Sequence, residues 1–261
     1  MSHAPEFLFS HRFPGIIWNT VAVESENRLV LEARDEVNFN VTFSQLDFVR
    51  NEFSWKDVSV SERWWVNLIA ANESTVLLNR FMNKGGNPDL KSLIAVDTAT
   101  GKVRWEREQL SFNDWNTTAV FAYRTQEELT QVEIDLFTGD VSEKPWKPEP
   151  PSIHVETLKP VFYAEGTPHF ETVKKFVAGA DYQITKGVEY LEFNDWILIS
   201  VYIEESGKLA NYLLVFSAAG SLVLTLKLGE NLGGLGADTF FLLAGCLFLV
   251  QNKTDLVAYR L

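Results

Sequence analysis

The chain has 261 residues, of which 46% are hydrophobic, 13% aromatic and 22% charged, a balance that excludes a disordered segment and suits a chain able to bury a sizeable core. Its formal net charge of −12 repels a phosphate backbone and argues against a nucleic-acid partner. No apolar run approaches the roughly 18 residues of a membrane helix, and the single cysteine, Cys246, cannot form an internal disulfide and reads as a small buried hydrophobe.

Met1 to Phe13 lacks the basic segment and apolar stretch of a secretory signal, so a cytoplasmic location is expected, and the four Asn-x-Ser/Thr triplets at Asn40, Asn72, Asn116 and Asn252 read as chance. Phe7 to Phe13 alternates as a strand does, with Phe7, Phe9 and Phe13 expected on one face. Asp47, Asn51 and Trp55 outline a first hairpin, and Lys91 to Trp105 repeats it more fully through Asp97, Gly101 and Trp105. In both, the Trp lies eight residues past the Asp. Phe112-Asn113-Asp114-Trp115 recurs as Phe193-Asn194-Asp195-Trp196, an offset of 81 that also relates Asp135 to Phe216 and Gly139 to Gly220. The β-branched and aromatic runs Ala119 to Tyr123 and Ile197 to Tyr202 follow, each leading through a polar break to a second strand and the hairpin glycine. Lys147 to Pro151 is the one linker-like stretch and reads as an extended connection. Gly229 to Gly236 lacks the third glycine of a dinucleotide-binding turn and reads as a loop.

Self-similarity of this kind is the mark of a repeat architecture. The turn Asp can accept hydrogen bonds from turn amides, Gly or Asn51 can take a left-handed conformation, and the Trp offers an apolar plate between neighbouring sheets. The expected fold is all-β: one β-propeller of four-stranded blades spanning residues 1–261. Hairpin positions at Asn51, Gly101, Gly139, Gly179 and Gly220 favour six blades, the one within 148–187 being degenerate, with Phe170 to Val177 as one of its strands. The rival reading makes Thr167-Pro168 the start of a helix that is inserted in a five-bladed ring. Asp255 to Leu261 lacks a fourth strand, which Phe7 to Phe13 is expected to supply, closing the ring and removing an exposed edge.

Ala95-x-Asp97-x-x-Thr100-Gly101-x-x-x-Trp105 resembles the tryptophan-containing repeat of quinoprotein-like β-propellers. The match is full over one unit; Asp135 to Gly139 keeps Asp, Thr and Gly but has Glu143 in the Trp position, and Phe216 to Gly220 keeps only the Gly. The resemblance implies the architecture and not the family's enzymology. The run Val188 to Phe193 resembles an uncharacterised bacterial propeller family, a domain of unknown function.

Catalytic signatures are sparse. His3, His11, His154 and His169 are scattered and no Gly-x-Ser-x-Gly elbow occurs, so no metal, cofactor or catalytic residue is assigned. The leading expectation is a binding or scaffold protein offering one propeller face to a protein or small ligand. The alternative is a carbohydrate-active or other hydrolase using carboxylates of a central channel. Candidate ligand-binding residues at a channel entrance are Trp18, Asn19, Trp64, Trp65, His154, Tyr190 and Asp238, with the Trp64-Trp65 pair notable because neighbouring strand residues point to opposite faces.

Overall fold

In a computed structural model, residues 4–23, 27–82, 91–125, 129–143 and 157–261 are described, and among them are 21 strands and one helix. The chain opens with β1 (Glu6–Arg12). It then builds three four-stranded antiparallel meanders in chain order. The first sheet is β2 (Ile16–Val23), β3 (Arg28–Asp35), β4 (Asn40–Asp47) and β5 (Glu52–Val58). The second is β6 (Val66–Ala71), β7 (Thr75–Phe81), β8 (Lys91–Asp97) and β9 (Val103–Glu108). The third is β10 (Leu110–Trp115), β11 (Ala119–Thr125), β12 (Leu129–Asp135) and β13 (Val141–Ser142). These three sheets make one compact unit, Pro14–Val155.

Within it the middle strands β4, β7 and β8 are buried almost end to end, while β5 alternates, as expected where both faces of a sheet centre are covered. The sheets interlock through the repeat. Asp47, Asp97 and Asp135 each accept turn amides, including Arg50 N at 2.9 Å, Thr100 N at 2.8 Å and Thr138 N at 2.8 Å. The residue that closes each turn is left-handed: Asn51, Gly101 and Gly139, at φ 57°, 68° and 72°. Trp55 of the first sheet lies on the Gly101 turn of the second and donates Nε1–H to the Thr98 carbonyl at 2.8 Å. Trp105 of the second sheet lies on the Gly139 turn of the third and donates to the Leu136 carbonyl at 3.0 Å. A Cβ on Gly139 would stand 2.6 Å from Trp105, so the indole and the bare glycine fit only each other.

The other compact unit comprises Met1–Phe13 with Glu156–Leu261. Its five-stranded sheet runs β14 (Val161–Ala164), β15 (Ile184–Phe193), β16 (Trp196–Glu205), β17 (Lys208–Ser217), β18 (Leu222–Leu232). Its four-stranded sheet has the order β1, β21 (Asp255–Arg260), β20 (Cys246–Gln251), β19 (Phe240–Leu243). The N-terminal strand therefore does complete the last sheet, from Glu6 opposite Arg260 to Arg12 opposite Asp255, with an Arg12–Asp255 ion pair at 2.7 Å. The expected single face for Phe7, Phe9 and Phe13 does not hold. A bulge between Phe7 and Phe9 inverts the alternation, leaving Phe7 56% exposed while Phe9 and Phe13 are buried.

The strand expected at Phe170 to Val177 is instead α1 (Pro168–Ala178). Thr167 caps it by accepting the Phe170 amide, proline fills the first turn, and Phe170, Val173 and Val177 share the buried face, a 3.6-residue period that a strand cannot use. The described residues accordingly hold five sheets rather than six. Residues 148–156 of the expected degenerate blade and the Lys147 to Pro151 linker lie outside the described residues. The helix also fills a gap in the repeat. Gly220, left-handed at φ 79°, is met by Phe176 of α1, whose ring packs 4.8 Å from that of Phe216. One smaller correction follows: Gly229 to Leu232 belong to β18 rather than to a loop. Cys246 is buried as expected, which raises its thiol pKa.

Candidate binding site

At one end of the first sheet, antiparallel pairing brings the start of β2 opposite the end of β3, with Ile16 facing Arg34. Between Ile17 and Asn19 the register slips, so Trp18 is the extra residue of a β-bulge. Equivalent slips fall at Ile69 in β6 and at Asn113 in β10, which marks the bulge as architectural and its occupant as variable. Here the occupant is a tryptophan 63% exposed.

Arg34 organises the surroundings. Its guanidinium donates to Glu32 at 2.7 Å, to the Trp64 carbonyl at 3.2 Å and to the Val66 carbonyl at 2.7 Å. Its central carbon lies 5.2 Å from the Trp18 ring and 5.4 Å from the Trp64 ring, within cation–π range of both. Glu32 is fully buried and accepts the Leu68 amide at 2.7 Å through its second oxygen, so one carboxylate ties β3 to β6. Burial pushes the Glu32 pKa up, against the opposing pull of Leu68 and Arg34. Asn19 adds a bond from Nδ2 to the Leu68 carbonyl at 3.1 Å.

Two loops wall the same end. In the β3–β4 turn, Asp35 accepts the amides of Val37 at 2.9 Å and Asn38 at 3.1 Å, and its pKa is lowered by the Asn38 side chain and those amides. The turn ends on Phe39, which is 62% exposed and left-handed at φ 48°, a conformation that is unusual for a bulky side chain. Its ring meets Trp64 edge-on at 5.3 Å. In the β5–β6 loop, Glu62 accepts the amides of Trp64 at 2.9 Å and Trp65 at 3.1 Å. Partial burial raises the Glu62 pKa, but these amides outweigh it and the net shift is downward. Trp65, next in the loop, is 53% exposed.

Of the residues singled out in the sequence, Trp18, Asn19 and Trp64 thus converge on one end of the first sheet, with Trp65 adjoining. Tyr190 and Asp238 belong to the other unit, and His154 lies outside the described residues. Tyr190 donates to Glu192, and burial followed by that carboxylate raises its phenol pKa. Asp238 pairs with Lys159 at 2.7 Å, and its amide donates to the buried Glu189 at 2.6 Å. Glu189 also accepts the Thr239 amide at 3.1 Å and the Thr239 hydroxyl, so it staples β15 to the segment before β19. Arg34, Glu32 and Phe39 carry no motif and were missed; the one usable signal was a phenylalanine in the polar turn Asp35 to Asn40, where Gly or Asn is usual.

A family model described as a domain of unknown function (DUF4905) matches residues 22–105. That span holds Glu32, Arg34, Phe39, Trp64 and Trp65 but neither Trp18 nor the run Val188 to Phe193 that pointed to such a family. No curated protein matches the chain. Among solved structures, the chain is similar to the β-propeller domain of the Trilobed protease from Pyrococcus furiosus, at 10% identity over 93% of this chain and 78% of that one, TM-score 0.37. It is also similar to BamB from Moraxella catarrhalis, at 9% identity over 94% and 85%, TM-score 0.25. A GH43_1 enzyme from Xanthomonas citri in complex with xylose gives 10% identity over 98% and 89%, TM-score 0.33. Among the described residues no helix is long and apolar enough to cross a membrane.

Proposed function

We propose that the chain is a binding module: its sheets are the blades of one propeller, and a ligand seats on the aromatic end of the first sheet. The propeller reading rests on the up-and-down order of the sheets and on the completion of the last sheet by β1. The observation that carries the binding reading is Arg34, held in place by Glu32 and two carbonyls with Trp18 and Trp64 within cation–π range, which presents Trp18 as a fixed and largely exposed plate. A rigid aromatic loses little conformational entropy when a ligand covers it, which is why such residues dominate recognition surfaces. The hydrolase reading is weaker. The buried carboxylates Glu32 and Glu189 both have their oxygens engaged by donors of their own units, the arrangement of structural staples rather than of an acid and base facing a substrate.

Intrinsic fluorescence of the full chain, titrated separately with cellohexaose and with a decaproline peptide, tests the reading. Binding of either probe, weakened roughly tenfold or more by Trp18→Ala, is the expected result. No response to either, or a response indifferent to Trp18, overturns it.

A further inference from the structure

Building on the binding reading above, we infer that the ligand is a neutral oligosaccharide, stacked on Trp18 and Phe39 and hydrogen-bonded at its edges by the carboxylates of the two flanking loops. Three observations lead there. The first is shape and chemistry: Trp18 and Phe39 are exposed rings at one sheet end, and both are held by local distortions, a bulge and a left-handed residue. Distorted backbone that persists needs over-determining surroundings, and it clusters where a side chain must be aimed. The C–H face of a pyranose is an apolar plate of matching size for such rings.

The second observation is charge. Arg34, within cation–π range of Trp18 and Trp64, is matched by Glu32 at 2.7 Å, which leaves the exposed Arg63 of the β5–β6 loop as one positive group against three carboxylates. The rim is acidic. Glu36 is exposed and Asp35 half-buried at the β3–β4 turn, and Glu62 sits at the base of the Trp64-Trp65 loop. The pKa values of Asp35 and Glu62 are held down, so both are ionised at neutral pH. Together with the chain's −12 charge this field disfavours uronic acids, phosphates and nucleotides.

The third is hydrogen-bond sense. Ionised carboxylates only accept. A proline-rich peptide, the other common occupant of aromatic surfaces, presents carbonyl acceptors and lacks amide donors, so it offers these carboxylates no hydrogen bond. A sugar presents hydroxyl donors around an apolar face, which suits acceptors placed beside rings.

The test is calorimetric titration of the full chain with three neutral probes (cellohexaose, xylohexaose and maltohexaose), with oligogalacturonate as the anionic counterpart and with decaproline. At least one neutral hexasaccharide should bind, and Trp18→Ala and Phe39→Asn should each weaken it about tenfold or more. Phe39→Asn suits the left-handed position and keeps the turn, so a melting temperature near that of the parent separates lost binding from lost fold. Phe7→Ala, which removes an exposed ring in the other unit, should leave binding unchanged. Decaproline binding that needs Trp18, without any binding of the hexasaccharides, would sink this inference and leave the binding reading standing. Tighter binding of oligogalacturonate than of all three neutral sugars would also sink it. Silence from every probe would overturn both.

Discussion

The interlock between the second and third sheets can be tested by a double-mutant cycle. Trp105 is buried, and in Trp105→Ala the loss of a core indole should cost about 3–5 kcal/mol. The upper end is expected, because the Leu136 carbonyl also loses a donor at 3.0 Å. Gly139→Ala carries two separate penalties. The left-handed φ of 72° costs an alanine about 1–2 kcal/mol. The new methyl would stand 2.6 Å from the Trp105 ring, which adds an overpacking cost of about 1–3 kcal/mol. Only the second penalty depends on the tryptophan. In the Trp105→Ala background, Gly139→Ala should therefore cost about 1–3 kcal/mol less than in the parent, a coupling of contacting residues. Urea unfolding of the four proteins, compared through midpoints at constant m, reads the cycle directly. Additivity within about 0.5 kcal/mol would refute the docking of Trp105 on that glycine.

The bulge in β1 separates two phenylalanines that the sequence would treat alike. Phe9→Ala should destabilise by about 3–5 kcal/mol and Phe7→Ala by less than about 1 kcal/mol; equal losses in thermal or urea unfolding would place the bulge elsewhere. The β1–β21 pairing should also be sensitive to acid. Arg12 lowers the pKa of Asp255 below its unfolded value. The contribution is therefore present above the ordinary aspartate range near pH ~4 and is lost as the pH falls below it. Amide exchange of Phe9 to Arg12, corrected for intrinsic rates, should speed up between about pH 4 and 2 more than that of β3; parallel behaviour of the two strands would dissociate the ion pair from strand pairing.

How far the sequence reached depended on the range of the interaction. Turn chemistry is local, so Asn51, Gly101, Gly139 and Gly220 are legible as hairpin positions and all four have positive φ, whereas Gly179, expected as a fifth, ends α1 at φ −65°. The completing role of β1 was also legible, because a chain with three strands at one end and a spare strand at the other has an evident way to pair them. The exact repeat Phe-Asn-Asp-Trp misled. Ala119 pairs with Asp135 in the third sheet, whereas Ile197 pairs with Phe216 in the five-stranded sheet, so the separation between paired residues is three longer in the second hairpin. Trp115 therefore ends a strand, while Trp196 begins one. The longer hairpin of β16 and β17 absorbs the difference, and a gapless alignment hid it. The Thr-Pro start of α1 is a local signal, so the sequence admits a helix there beside a strand. What decided it was the apolar row Phe170, Val173 and Val177 finding a sheet face to cover, which is a tertiary matter.

The candidate site was harder to read because its organiser is long-range. Arg34 reaches Trp64 and Val66 across a gap of about thirty residues, and nothing in an arginine's immediate neighbours announces such a role. The repeat nevertheless supplies a criterion for sorting the aromatics. Trp55 and Trp105 are buried, each with its Nε1–H spent on a carbonyl of the next sheet, so the architecture accounts for them fully. Trp18 occupies a position that recurs in each sheet of its unit, but the other occupants are a half-buried isoleucine and an exposed asparagine, Ile69 and Asn113. The bulge alone therefore does not require an aromatic. A large ring left in water at a position where neighbouring repeats have no need of one is a cost without a structural return. Its stacking partner is an arginine whose charge is already satisfied, and Phe39, which meets Trp64 edge-on, holds a left-handed backbone at the same sheet end. Repeats hold constant what the fold needs, so what departs from the repeat at Trp18 is the part of this sheet that folding leaves unexplained and the proposed binding role accounts for.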